Sequence, residues 1–246
     1  TISAGKYFKV ADGISNIVLQ SATYADDIIA LGSAADVKTY FEANAASMKK
    51  WPNYGWEGSS FAGYFDGNGA TVYGLYQVSG NNAGLFSTVD AGAVISNIAL
   101  KNSYLKGEAA NKDYQVAGLA AVSNSNGYGA KQEGVIWFNG CTVANNYMYN
   151  NATSYTRSGI IVGNFQNDII MIDNCIVYGN DATYGAGVKM SAYGEGNNDV
   201  ETTKLKPVEL PSYVENSGFI CNSVRNSIIL DCDVMNTLCN RSYRKN

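Results

Sequence analysis

Aromatic side chains are the groups in this sequence best suited to recognising another molecule. The chain holds 18 Tyr and 3 Trp among 246 residues. Each ring offers an apolar face, and Tyr and Trp add one polar atom at the edge of that face. We expect eight of them to form ligand-binding surfaces: Tyr147, Tyr149, Tyr155, Tyr184, Tyr193, Tyr213, Trp51 and Trp56.

Groups for catalysis and metal binding are scarce. The chain has no His, which removes the commonest general base and most zinc and copper sites. Asp173, Asp231 and Asp233 fall at different places in their repeats, so they do not form the carboxylate pair of a glycosidase. We therefore predict no catalytic residue, no metal ligand and no cofactor.

The overall charge argues against nucleic acid as a partner. The net charge is −4 and no stripe of basic residues is present to follow a phosphate backbone. The sequence also has no apolar run of the roughly 20 residues that a membrane-spanning helix needs. We expect no membrane-spanning segment.

The elements that position the aromatic residues are repeats. The pattern of residues 95–100 returns at 138–143, 172–177 and 229–234. Aligning the four units gives three apolar columns: Ile95/Phe138/Ile172/Ile229, Ile98/Cys141/Cys175/Cys232 and Leu100/Val143/Val177/Val234. A repeat of this length, rich in Gly and turn residues, predicts short stacked strands.

The cysteine column predicts a row of buried thiols. Strands in register lie about 4.8 Å apart with parallel Cβ vectors, which suits packing better than a disulfide. We expect Cys141, Cys175 and Cys232 to point inward unbridged; the alternative, a metal-thiolate site, lacks close Cys-x-x-Cys pairs. Cys221 and Cys239 remain unassigned.

Glycines and insertions mark the edges of the repeats. Gly84, Gly118, Gly159 and Gly218 each open a second apolar segment, and the spacing indicates a unit of about 34 residues with one long insertion at 179–217. Insertions leave a stacked structure at its turns, so we expect the tyrosines to gather on one edge. The same alignment predicts an asparagine ladder at Asn102, Asn145, Gly179 and Asn236, with Tyr104 stacked on Tyr147.

Residues 1–60 are predicted to form an N-terminal cap on the repeats. Strands are expected up to Leu31, and Ser33 with Asp36 forms a capping box for a helix over 34–49 that covers the open end of the repeats. The loop at 50–58 carries Trp51 and Trp56, which either seal this junction or form a platform for sugar stacking. The repeats occupy 61–239 and a tail 240–246, in one domain.

The opening of the repeats resembles a known family. Phe61-x-Gly63-x-Phe65-Asp66-Gly67-x-Gly69, Gly84-Leu85-Phe86 and the later Asn-Cys units resemble the GLUG-motif repeats of secreted bacterial proteins. The resemblance implies an all-β, right-handed parallel β-helix of the pectin-lyase-like kind with an N-terminal capping helix. It also implies a bacterial protein that is extracellular or on the cell surface, and we expect further domains to flank this chain.

Three functions remain open. The first is a non-catalytic binding or adhesion module that recognises polysaccharide or a cell-surface partner through its Tyr- and Asn-rich loop edge. The second is a structural spacer in a large surface protein. The third, a polysaccharide lyase or glycoside hydrolase, rests on analogy with other β-helices alone.

Overall fold

The computed structural model describes residues 3–52, 60–79, 82–107, 115–123, 134–150, 158–184 and 224–241. Within these ranges the chain is mostly β-strand, and it contains two α-helices and one short 3₁₀-helix. Every strand pairing in the described ranges is parallel. This is consistent with an all-β fold of the parallel β-helix type.

The elements are numbered in chain order. The helices are α1 (Ala22–Ala30), α2 (Ala34–Ala43) and a 3₁₀-helix at Ala45–Ser47. The strands are β1 (Tyr7–Lys9), β2 (Asn16–Val18), β3 (Tyr64–Asp66), β4 (Thr71–Tyr73), β5 (Tyr76–Ser79), β6 (Phe86–Val89), β7 (Val94–Ser96), β8 (Ala99–Lys101), β9 (Tyr104–Gly107), β10 (Ala120–Ser123), β11 (Val135–Asn139), β12 (Thr142–Ala144), β13 (Tyr147–Asn150), β14 (Val162–Asp173), β15 (Ile176–Tyr178), β16 (Asp181–Tyr184), β17 (Val224–Leu230), β18 (Asp233–Met235) and β19 (Leu238–Arg241).

Successive strands of the chain belong to different sheets. An eight-stranded sheet contains β1, β3, β7, β11, β14 and β17, with β10 and β6 joined through the long β14. A six-stranded sheet has the order β18-β15-β12-β8-β4-β2, and a five-stranded sheet has the order β19-β16-β13-β9-β5. Each strand therefore pairs with its counterpart in the neighbouring repeat and not with its neighbour along the chain.

The predicted register of the repeats is confirmed. Phe138 pairs with Ile95 and with Ile172, and Val143 pairs with Leu100 and with Val177. These side chains are fully buried in one hydrophobic cluster, so these columns face the interior in the first three units. Their members in the fourth unit, Ile229 and Val234, are exposed. The pairing is parallel at every one of these positions, as the stacking of repeats requires.

Left-handed residues bound four strands of the six-stranded sheet, namely β8, β12, β15 and β18. Asn97, Gly140, Asn174 and Asp231 precede the cysteine column by one place and all have positive φ. Asn102, Asn145, Gly179 and Asn236, four places after the column, also have positive φ. Asn, Asp and Gly tolerate this conformation best, which explains why the turns of the repeat are built from them.

The polar ladder lies one residue beyond its predicted position. The side chains that bond along the stack belong to Ser103, Asn146 and Asn180. The backbone N–H of Ser103 donates to Asn146 Oδ1 at 2.9 Å, and that of Asn146 donates to Asn180 Oδ1 at 3.0 Å. The shift follows from the turn, because Asn102 and Asn145 themselves occupy the left-handed corner.

The N-terminal region contains one more helix than predicted. Residues 28–31 were expected to be a strand, but α1 extends through Ala30 and buries Ile28. An isolated stretch such as Ile28-Ile29-Ala30-Leu31 satisfies strand and helix propensities alike, and packing of Ile28 decides between them.

The predicted helix at Ser33 is present but shorter than expected. Ser33 Oγ accepts the backbone N–H of Asp36 at 3.2 Å, as the capping box predicts, and α2 ends at Ala43. Its buried face, Val37 and Phe41, packs against the outer side of the five-stranded sheet and not over the end of the stack.

The cysteine column faces the interior as predicted. Cys141 and Cys175 are fully buried, Cys232 is partly buried, and all three thiols are free. The backbone N–H of Cys141 donates to Cys175 Sγ at 3.4 Å. Cys221 lies outside the described residues, and Cys239 is described only as a backbone position in β19.

Gly118 should not tolerate a side chain. A Cβ atom there would lie 2.7 Å from Ile160 O and 2.7 Å from Val143 Cγ1. We expect Gly118→Ala to lower the unfolding free energy by about 1–3 kcal/mol through overpacking, measured by urea denaturation. Gly32→Ala is the control, since the nearest atom to its Cβ is 3.8 Å away. Equal stability of the two variants would contradict the close stacking of repeats at Gly118.

Thiol labelling should separate the three column cysteines. We expect iodoacetamide to modify Cys232 in the folded protein while Cys141 and Cys175 stay unmodified, because only Cys232 has exposed surface. Peptide mass mapping assigns the label to each cysteine, and labelling in urea shows that all are reactive once unfolded. Labelling of Cys141 as fast as Cys232 would show that the interior is open to the reagent.

Candidate binding face

Tyrosines from three consecutive repeats stack on the outer side of the five-stranded sheet. Tyr76, Tyr104 and Tyr147 occupy one register position in β5, β9 and β13. Their ring centroids are 5.6 Å apart between Tyr76 and Tyr104 and 5.1 Å apart between Tyr104 and Tyr147. The predicted stacking of Tyr104 on Tyr147 is confirmed.

Helix α2 covers most of this tyrosine column. Phe41 stacks on Tyr76 at 5.6 Å with an interplanar angle of 9°, and the hydroxyl of Tyr104 donates to Glu42 Oε1 at 3.2 Å. The Lys38 ammonium lies 5.7 Å from the centre of the Tyr147 ring. All three tyrosines are buried, and the exposed fraction of Tyr147 is 8%. Tyr147 is therefore a packing residue in the structure.

Tyr149 is the more accessible member of the pair predicted in β13. It stands two residues after Tyr147, so both rings project from the same side of the strand. The two rings are nearly parallel, at 12°, with centroids 6.5 Å apart. The ammonium of Lys106 lies 5.9 Å from the Tyr149 ring. Tyr149 is half-buried and is held in place by both neighbours.

Asp181 brings a carboxylate to the same surface. It lies directly opposite Tyr147 on β16, so its side chain projects from the outer side of the sheet. Its Oδ1 atom is buried, and no hydrogen-bond partner for it is found among the described residues. Burial raises the pKa of the Asp181 carboxyl, and the charge of Lys38 opposes this shift. Within the described part of the chain, this oxygen is therefore an unsatisfied acceptor.

The phenols beneath the helix are held in their neutral form. Burial raises the pKa of Tyr104 and that of Tyr147 well above the usual range, and the charge of Glu42 adds to both shifts. These hydroxyls therefore act as hydrogen-bonding groups and not as bases. We define the tyrosine face as Lys38, Lys106, Tyr147, Tyr149 and Asp181.

The other predicted ligand residues divide into three groups. Trp51 lies apart from the tyrosine face: its backbone N–H donates to Tyr76 O at 2.7 Å and its Nε1–H donates to Leu85 O at 3.2 Å. Tyr184 is described only by its backbone in β16. The remaining four lie outside the described residues: Trp56, Tyr155, Tyr193 and Tyr213.

Sequence reasoning missed the charged members of the tyrosine face. Asp181 falls in the insertion predicted at 179–217, and only its pairing with Tyr147 places it on the sheet, as the first residue of β16. Lys38 comes from α2, which the sequence placed over the open end of the repeats and not on this sheet.

A second exposed aromatic pair was also missed. Tyr7 and Tyr64 pair on the outer side of the eight-stranded sheet, with exposed fractions of 63% and 48%. The shared pattern Tyr7-Phe8-Lys9 and Tyr64-Phe65-Asp66 was the available signal.

Comparison with known proteins returns no match to a family model, to a curated protein or to a solved structure. In the described part of the chain, no group of three or more His, Cys, Asp or Glu side chains is arranged to hold a metal ion. The helices described here are all too short or too polar to cross a bilayer.

Asp181→Asn should stabilise the fold at neutral pH. The pKa of Asp181 is raised in the folded chain, so its neutral carboxyl contributes to folding stability. This contribution is fully present below the unfolded pKa of about 3.9 and is lost as the pH rises through the folded pKa. The amide carries no charge to desolvate, so we expect this variant to exceed the wild type in unfolding free energy at pH 7 but not at pH 3. Urea denaturation at both pH values measures this, with exposed Asp26→Asn as control. A loss of stability at pH 7 would show that the Asp181 charge is compensated.

Proposed function

We propose that this chain is a non-catalytic extracellular module that binds polysaccharide through its tyrosine face, on a right-handed parallel β-helix scaffold. The resemblance to GLUG-motif repeats supports the scaffold and the cell-surface location. The parallel pairing of every described strand supports the same scaffold. The observation that carries the proposed function is the half-exposed ring of Tyr149 next to the partly exposed carboxylate of Asp181, whose Oδ1 atom has no hydrogen-bond partner among the described residues.

A sugar ring presents two kinds of surface, and the tyrosine face matches both. The C–H face of a pyranose packs on an aromatic ring, and its hydroxyls need acceptors and donors at the rim. Tyr149 supplies a partly exposed ring that is held in place by its contacts with Tyr147 and Lys106. Asp181 supplies the acceptor, and Lys38 and Lys106 supply donors.

The destabilising effect of Asp181 on the fold supports a binding role. A buried oxygen without a partner destabilises a fold, and a residue that only packed would be replaceable by an amide or an apolar side chain. Groups that oppose stability are concentrated at functional sites, where a ligand satisfies them. Asp181 as a whole is partly exposed, so a sugar hydroxyl can donate to its carboxylate at the surface and offset part of this destabilisation.

Retention on insoluble polysaccharides tests the proposed function. The folded chain is incubated with four polysaccharides that carry no carboxylate, namely cellulose, xylan, mannan and chitin, and bound protein is quantified. We expect retention on at least one of them, weakened about fivefold to tenfold in Tyr149→Ala and in Asp181→Asn, because each removes one central contact.

Tyr64→Ala is the matched control, since it removes an exposed tyrosine from a different sheet and should retain the wild-type affinity. Melting temperatures of all variants separate lost binding from lost folding, and Asp181→Asn should bind less while melting no earlier. Wild-type chain that stays in solution with all four polysaccharides would overturn the proposal and favour a structural spacer. Equal losses in Tyr64→Ala and Tyr149→Ala would show that the tyrosine face is not the site.

A further inference from the structure

A separate cavity lies at the N-terminal end of the sheets. It has a volume of about 510 Å³ and is enclosed by the segment joining β2 to α1 and by residues 47–52. Cavities of about 300–1,000 Å³ are the usual size for small ligands. None of its lining residues belongs to the tyrosine face. We call it the Trp51 pocket.

The walls of the Trp51 pocket are fixed before any ligand arrives. Gln20 Nε2 donates to Lys49 O at 3.0 Å and to Gly74 O at 2.8 Å, while Gln20 Oε1 accepts the Lys49 backbone N–H at 2.8 Å. Trp51 is anchored through its Nε1–H to Leu85 O and packs against the main hydrophobic core. A ligand therefore meets a rigid wall, which reduces the entropy lost on binding.

The charge of the Trp51 pocket has one sign. Lys49 and Lys50 both line it and are exposed, and neither forms an ion pair with a carboxylate of the described residues. None of the described residues that line the pocket is acidic. In a chain of net charge −4, two lysines at one cavity with no acidic neighbour among the described lining residues favour an anionic ligand.

Two hydroxyls and the start of a helix add to the polar wall. Ser21 and Ser47 line the pocket, and Ser21 precedes α1 without capping it through its side chain. The first turn of α1 carries no acidic residue, so the positive end of its dipole is uncompensated. The cavity, the Trp51 indole and the two lysines favour a ligand even without the contribution of the helix dipole.

We propose that the Trp51 pocket binds a sugar that carries a carboxylate, namely a hexuronate unit. The Trp51 ring suits the apolar face of the pyranose, Lys49 and Lys50 pair with the carboxylate, and the serine hydroxyls bond to ring hydroxyls. The volume of this half-open cavity fits one or two sugar units. The site does not depend on the tyrosine face and can be tested separately from it.

Calorimetric titration with digalacturonate tests this proposal on the full chain. The neutral disaccharide with reduced carboxylates and inorganic phosphate serve as comparison ligands. We expect digalacturonate to bind and the neutral disaccharide to bind at least about tenfold more weakly, because a charge-assisted hydrogen bond is lost. Lys49→Met and Lys50→Met should each weaken digalacturonate binding by about tenfold. Raising the salt concentration should weaken it further.

Lys6→Met is the control variant, since Lys6 is an exposed lysine of the N-terminal region that does not line the pocket. An equal loss in Lys6→Met would show that overall charge governs binding and would overturn the proposal. Equal affinity for phosphate and digalacturonate would show that the pocket binds anions without recognising the sugar, and would overturn the proposal. Equal affinity for the neutral disaccharide would exclude recognition of the carboxylate.

The Tyr149→Ala variant distinguishes the tyrosine face from the Trp51 pocket. It should bind digalacturonate as tightly as the wild type while losing retention on polysaccharide. Loss of digalacturonate binding in Tyr149→Ala would place the sugar on the tyrosine face and refute the Trp51 pocket. Unchanged polysaccharide retention in Tyr149→Ala, together with loss of digalacturonate binding in Lys50→Met, would refute only the tyrosine face.

Discussion

Parallel backbone pairing between repeats is the interaction on which the rest of the structure depends. Each strand is only three to five residues long in most positions, so no strand could persist without the counterparts beside it. The pairing places side chains with the same position in each repeat about 4.8 Å apart. Columns of Ile, Val and Cys thus become continuous interior rows, and columns of Tyr become stacked rings on the outside.

The same constraint explains which parts of the structure could be predicted from the sequence. Register was predictable because the repeat of Ile95, Phe138 and Ile172 encodes it directly, and the cysteine column followed from that register. The capping box at Ser33 was predictable because its bonds are local. The fold of residues 22–31 was not, since Ile28 becomes helical by packing beneath Gly74 and among the tyrosines, contacts more than 40 residues away in sequence.

The tyrosine face shows the limit of reading function from residue type. The sequence identified Tyr147 and Tyr149 equally as ligand residues. In the structure, Lys38 of α2 lies over the Tyr147 ring, whereas Tyr149 remains half-exposed. The Oδ1 atom of Asp181 is buried and has no hydrogen-bond partner among the described residues. Asp181 was not predicted as a site residue, because a carboxylate after Gly-Asn is also a common turn residue. The sequence singled out Trp51 but not the cavity beside it, because Gln20 and Ser21 meet Lys49 and Lys50 only when the segment before α1 packs against residues 47–52.

The Ser103–Asn146–Asn180 ladder has an evolutionary consequence. In each step a backbone N–H of one repeat donates to the Oδ1 atom of the asparagine in the next repeat, and the bond does not depend on which repeat supplies the N–H. Joining the first repeat to the third by genetic recombination would bring the Ser103 N–H to Asn180 Oδ1 and recreate the same bond. Every joint of the ladder is therefore interchangeable, so gene duplication and deletion can lengthen or shorten the stack without leaving a buried donor unpaired.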